Sequence, residues 1–108
     1  MKLITAIVNK RDAGEVCRAL SEAGFYFTKI ATSGGFLRTG NVTLLLGTDD
    51  EKVDCAIEII RKNSAQRVEA VPDVPHGNSV SYIPPAPVTV PVGGATVFVT
   101  DVCRYEKM

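Results

Sequence analysis

The chain moves between strand-like apolar runs and helical spacing. Lys2 to Asn9, KLITAIVN, is nearly all apolar and predicts a buried strand. Asp12 stands where it can cap a helix, with Glu15 at the third helical position. Val16, Ala19, Leu20 and Ala23 then recur at helical spacing. Gly24, free to take a left-handed conformation, ends that helix. Phe25 to Thr32 is rich in aromatic and β-branched residues and predicts a second strand. Asn41 to Gly47, NVTLLLG, predicts a third. Thr48 and Glu51, in TDDE, form a capping-box pattern. Val53, Ala56, Ile57 and Ile60 repeat the helical spacing, and Arg61 and Lys62 suit the negative end of that helix.

Strand–helix–strand followed by strand–helix predicts an α+β fold, a ferredoxin-like βαββαβ sandwich. Its last strand is either Arg67 to Val71 or Ala95 to Val102, and ATVFVTDV is the stronger run of β-formers. Between helix and strand lies a long insertion, about residues 65–93, which holds all six prolines. RVEAV and VTVPV can pair there as a two-stranded arm, with Pro91 confining the latter to an edge and HGNSVSYIPP as the tip. Both faces of the first and third strands read as apolar, whereas two helices cover only one. The other face calls for a closed symmetric oligomer, or for partial cover by the long arm.

The 108 residues suit one domain, 1–108. Formal net charge is zero, so no overall field draws nucleic acid or an acidic membrane, and any anion must be held locally. Cys17, Cys55 and Cys103 are an odd, widely spaced set, unlike a zinc knuckle or a disulfide framework. Cys17 and Cys55 fall in helical patterns as small buried hydrophobes. With no signal segment and no membrane-length apolar run, a reduced, cytoplasmic setting is expected.

Candidate chemistry concentrates in SGGFLRTGN. Gly34, Gly35 and Gly40 give the loop its freedom, and successive backbone N–H groups can cradle an anion. Thr28 and Asn41 bound the loop. An asparagine amide matches the N6 and N7 edge of adenine. Phe36 and Leu37 offer an apolar wall for a base, and Lys29 and Arg38 supply charge for phosphate. Together these residues compose a nucleotide site.

TKIATSGGFLRTGN and PVTVPVGGATVFV, with KLITAIV and SYIP, resemble the PII-like cyclic-di-AMP receptor family nearly end to end. The resemblance implies a ferredoxin-like, PII-like homotrimer with a short ligand loop, here about residues 33–41, and an enlarged loop at about 65–93. It implies a signal transduction protein that binds the second messenger cyclic-di-AMP between subunits and signals to a downstream protein, with no cofactor. Thr28 and Asn41 match its polar contacts, and Gly35, Phe36 and Leu37 the loop that packs on the ligand. Gly47 matches a residue allowing close approach, and Phe98 an aromatic near a base. Tyr26 stands where familiar members carry arginine, and Lys107 about where a glutamine contact would sit.

No catalytic or metal site is expected: His76 is the only histidine, and no cysteine or serine has an evident base beside it. An RNA-binding sheet needs exposed aromatics on the first and third strands, which carry none. A PII-like regulator of a different adenine nucleotide, such as ATP, is the competing reading, because tyrosine at 26 cannot neutralise phosphate.

Overall fold

The structure, a computed structural model, describes residues 1–32, 40–72 and 87–108. Strand β1 (Lys2–Asn9) leads into helix α1 (Lys10–Glu22), then strands β2 (Thr28–Thr32) and β3 (Asn41–Thr48). A 3-10 turn, Asp50–Lys52, precedes helix α2 (Val53–Ser64). Strands β4 (Arg67–Pro72), β5 (Pro87–Val92) and β6 (Ala95–Asp101) follow. The main sheet has the order β2-β3-β1-β6 with antiparallel neighbours. Four antiparallel strands and two helices make an α+β fold compatible with the ferredoxin-like arrangement, with ATVFVTD supplying the last strand. Arg67–Pro72 instead pairs with Pro87–Val92 as a separate ribbon, as the sequence predicts for RVEAV and VTVPV. HGNSVSYIPP and His76 lie outside the described residues.

One face of the sheet carries the core. Ile4, Ala6 and Val8 of β1 and Val42, Leu44 and Leu46 of β3 meet Val16 and Leu20 of α1 and Ala56 and Ile60 of α2, all at most 3% exposed. Each large aliphatic side chain so buried contributes about 1.5–3 kcal/mol. On the opposite face, Leu3, Thr5, Ile7, Thr43 and Leu45 are half-buried. Among the described residues no helix is long and apolar enough to cross a membrane.

The structure departs from the sequence reading at three element ends and at one cysteine. Asn9, not Asp12, caps α1: it is extended, and its side chain accepts the Arg11 amide at 2.9 Å. Asp12 lies inside the first turn, buried, with its carboxylate on Arg67 at 3.1 Å. The Thr48–Glu51 capping box does not form, because Thr48 is the buried last residue of β3 and Asp49 makes no capping bond. Strand β2 starts at Thr28 because Phe25 is drawn back onto α1. Its N–H donates to Leu20 C=O at 2.9 Å and that of Gly24 (φ 86°) to Ser21 C=O at 3.0 Å, a Schellman closure with Phe25 and Leu20 both buried. Finally, Cys55 is exposed, because it faces away from the Ala56–Ile60 stripe, while Cys17 packs against the core.

Candidate functional site

Strand register decides which candidate residues share a face. Paired residues in an antiparallel sheet point to the same side. Thr28 pairs with Leu45, Leu45 with Thr5, and Thr5 with Phe98, giving one row across the helix-free face. Asn41 sits opposite Asn9 and Thr32 on that face, and Gly47 opposite Leu3. Thr28, Asn41, Gly47 and Phe98 therefore belong to one surface. Lys29 does not: it pairs with the fully buried Leu44 and so takes the helix side, beside Cys17. Burial pushes the Cys17 thiol up, with the Lys29 charge opposing.

Along β3 the site splits. Asn41 and Gly47 stand at opposite ends, separated by about 20 Å of strand. At the Gly47 end, a cleft of about 260 Å³ gathers Tyr26, Thr28, Gly47, Met1, Leu45 and Tyr105. An adjoining cleft of about 380 Å³ extends it past Gly47 to Asp49, Lys52 and Cys55. Tyr26, just before β2, is 91% exposed, and Phe98 is 53% exposed. At the other end, a depression of about 330 Å³ holds Asn41 with Asn9, Gln66, Gly93, Gly94 and Thr96. Gly35, Phe36, Leu37 and Arg38 fall outside the described residues.

The backbone explains how these ends are held. Asn9 closes β1 and caps α1, and the next amide, Lys10 N–H, donates to Gly40 C=O at 3.0 Å. The end of the short loop is thus tied to the start of α1. Asp12 of α1 holds Arg67 at the base of the ribbon, and Gly93 passes beneath that pair. A Cβ added to Gly93 would lie 2.8 Å from Arg67 Nη1 and 3.0 Å from Asp12 Oδ2, and its φ of +80° is also left-handed. Gly47 is different: its φ is ordinary, and an added Cβ would meet only Met1 Sδ at 3.8 Å. Nothing in its own chain requires glycine there.

The Gly47 end carries charge of both signs: Lys52 and Asp49 line the cleft, and the Met1 ammonium there pairs with Asp50 at 2.9 Å. That contact, first of all its hydrogen bond, holds the Asp50 carboxyl below its ordinary value. Asn9, Gln66 and Tyr105 are cleft residues that the sequence reading did not single out. Only Asn9 left a signal there, as the last residue of the predicted first strand. No cluster of three or more metal-ligating side chains occurs among the described residues.

A family model described as cyclic-di-AMP receptor matches residues 1–108. Among solved structures, a functionally unknown protein from Pediococcus pentosaceus ATCC 25745 is 36% identical, with a TM-score of 0.77. The match covers 99% of this chain and 96% of that one.

Proposed function

The chain belongs to the cyclic-di-AMP receptor family, and from that premise we propose a non-catalytic signal transduction protein that binds cyclic-di-AMP in clefts between the subunits of a PII-like homotrimer. Binding changes the conformation of the loops at about residues 33–41 and 65–93 and so signals to a partner. The ligand contacts are Tyr26, Thr28, Gly47, Asn41 and Phe98, with Gly35, Phe36, Leu37 and Arg38 from the short loop. Lys29 contributes charge only from the sheet's edge.

The observation that carries this reading is the split along β3. Two polar clefts open at opposite ends of the helix-free sheet face, and neither holds both Asn41 and Thr28. Packing that face against a neighbour lets one protomer's Gly47 end meet the other's Asn41 end. The freedom at Gly47 fits the same picture, since a close ligand accounts for a glycine that its own chain does not need.

Calorimetry with cyclic-di-AMP, on protein whose mass is measured by light scattering, tests the reading. Expected are three times 11.6 kDa and one ligand per chain. An 11.6 kDa particle or no heat with cyclic-di-AMP overturns it. Tyr26, in place of the family arginine, favours one rival, a regulator of ATP; ATP displacing cyclic-di-AMP at equal or lower concentration decides for that rival.

A further inference from the structure

The ribbon of β4 and β5 leaves the body of the protein through two short roots: Ala65 and Gln66 before β4, and Gly93 and Gly94 after β5. Gln66, Gly93 and Gly94 also line the depression that holds Asn41 and Asn9. The ribbon's roots are therefore one wall of the Asn41 cleft, and the end of the sheet is the other. Whatever fixes the roots fixes the width of that cleft.

Three contacts hold them. Gly94 N–H donates to the Ser64 carbonyl at the end of α2. Gly93, with φ 80°, lies close enough that an added Cβ would stand 3.0 Å from the Ala65 carbonyl oxygen, so the two roots pass tightly side by side. The third contact crosses to α1. Arg67, next to Gln66, donates from Nη2 to Asp12 Oδ1 at 3.1 Å and from Nη1 to Oδ2 at 3.4 Å.

Asp12 is 6% exposed and sits in the first turn of a helix capped by Asn9. The positive end of the helix favours a carboxylate there, and its burial demands a partner. The same turn secures the opposite wall: Asn9 lines the cleft, and Lys10 N–H donates to the carbonyl of Gly40, beside Asn41. One turn of α1 thus grips both walls of the cleft.

We propose that Asp12 is a positioning residue for the Asn41 cleft: through Arg67 it sets the ribbon's roots at the distance from Asn41 that ligand binding requires. The inference rests on the proposed function for the identity of the ligand; the clasp of Asp12 on Arg67 does not depend on it.

Asp12→Asn removes the charge and keeps the shape. Arg67, 43% exposed, can then turn into water, whereas truncating Arg67 would strand a buried carboxylate. In the whole protein without ligand, hydrogen exchange followed by NMR reads the clasp. The Gly94 amide is expected to exchange at least about tenfold faster in Asp12→Asn, relative to the Ala6 and Leu44 amides of the central strands. Calorimetry reads the cleft. Cyclic-di-AMP affinity is expected to fall at least about tenfold in Asp12→Asn. The same change made in an Asn41→Ala background should cost less than about threefold, because the contact that the wall positions is already gone. A role in stability alone would cost as much in either background. Should Asp12→Asn not fold, Arg67→Lys takes its place in every arm, since it leaves Asp12 a charge and loses the two-pronged fork. An unchanged Gly94 exchange ratio, unchanged affinity, or equal losses in the two backgrounds overturns the inference. Wild-type protein that gives no heat with cyclic-di-AMP overturns the proposed function; wild-type binding with an unaffected Asp12→Asn overturns this inference alone.

Discussion

Three glycines show how the same residue type answers to different demands. Gly14 lies exposed in the middle of α1, with nothing within 4 Å of an added Cβ, so its freedom costs the helix stability. Gly14→Ala is expected to stabilise the fold by about 0.5–1 kcal/mol. Gly93→Ala drives a methyl into the Asp12–Arg67 pair at a left-handed φ and is expected to destabilise by about 1–3 kcal/mol. Thermal melts of the two variants should move in opposite directions. Gly47→Val tests the ligand side: a β-branched residue suits β3, so Tm stays at or above wild type, while cyclic-di-AMP affinity falls at least about tenfold. Asn41→Ala, at the other end of the strand, is expected to weaken binding by about 1–3 kcal/mol if its amide reads adenine. Calorimetry separates these outcomes from loss of fold.

On α1, Arg18 holds Glu15 and Glu22, each at 2.7 Å, one turn either side. The hydrogen bond from Arg18, then its charge, keeps the Glu15 carboxyl below its ordinary 4.5. A carboxyl lowered in the folded state stabilises above its unfolded pKa and loses that contribution as pH falls through the folded value. Glu15→Gln should therefore lower Tm slightly at neutral pH, and the gap should close by about pH 3. All three side chains are exposed, so added salt should shrink it too. Element existence was legible in the sequence because burial dictates it: KLITAIVN and NVTLLLG are buried on alternate positions, and helical spacing marks the core stripes of α1 and α2. Several ends were legible too, such as Lys2–Asn9 and the Gly24 stop of α1; the helix N-caps were not, because they follow contacts between distant residues. Asp12 fits a capping pattern, yet Arg67 takes it into the first turn; Thr48 fits another, yet β1 pairing takes it into the sheet. The site shows the same divide. Thr28, Asn41 and Gly47 were readable one by one, but their sharing of a face, and the exclusion of Lys29 from it, come from register across three strands.

For the whole molecule the decisive feature is the sheet face without helices. Its middle row runs Thr28, Leu45, Thr5, Phe98, with Ile30 42% and Phe98 53% exposed. In the proposed assembly this face, a mixture of threonines and exposed apolar side chains between two polar clefts, is the surface that packs against the neighbour. Thr5 lies at its centre and is only half-buried in one chain. Thr5→Arg places a charge there while leaving Ile4 and Ala6, on the core side, untouched. The isolated fold should survive, with helical circular dichroism unchanged, because a long side chain can turn into solvent. Assembly should not survive, since a buried, unpaired guanidinium costs several kcal/mol at each seam. Sedimentation should then report single chains, and cyclic-di-AMP binding should fail with it, because each cleft loses the half its neighbour supplied. A Thr5→Arg protein that stays trimeric removes this face from the interface. One that falls to monomers yet binds the ligand with wild-type affinity places the whole site within a single chain.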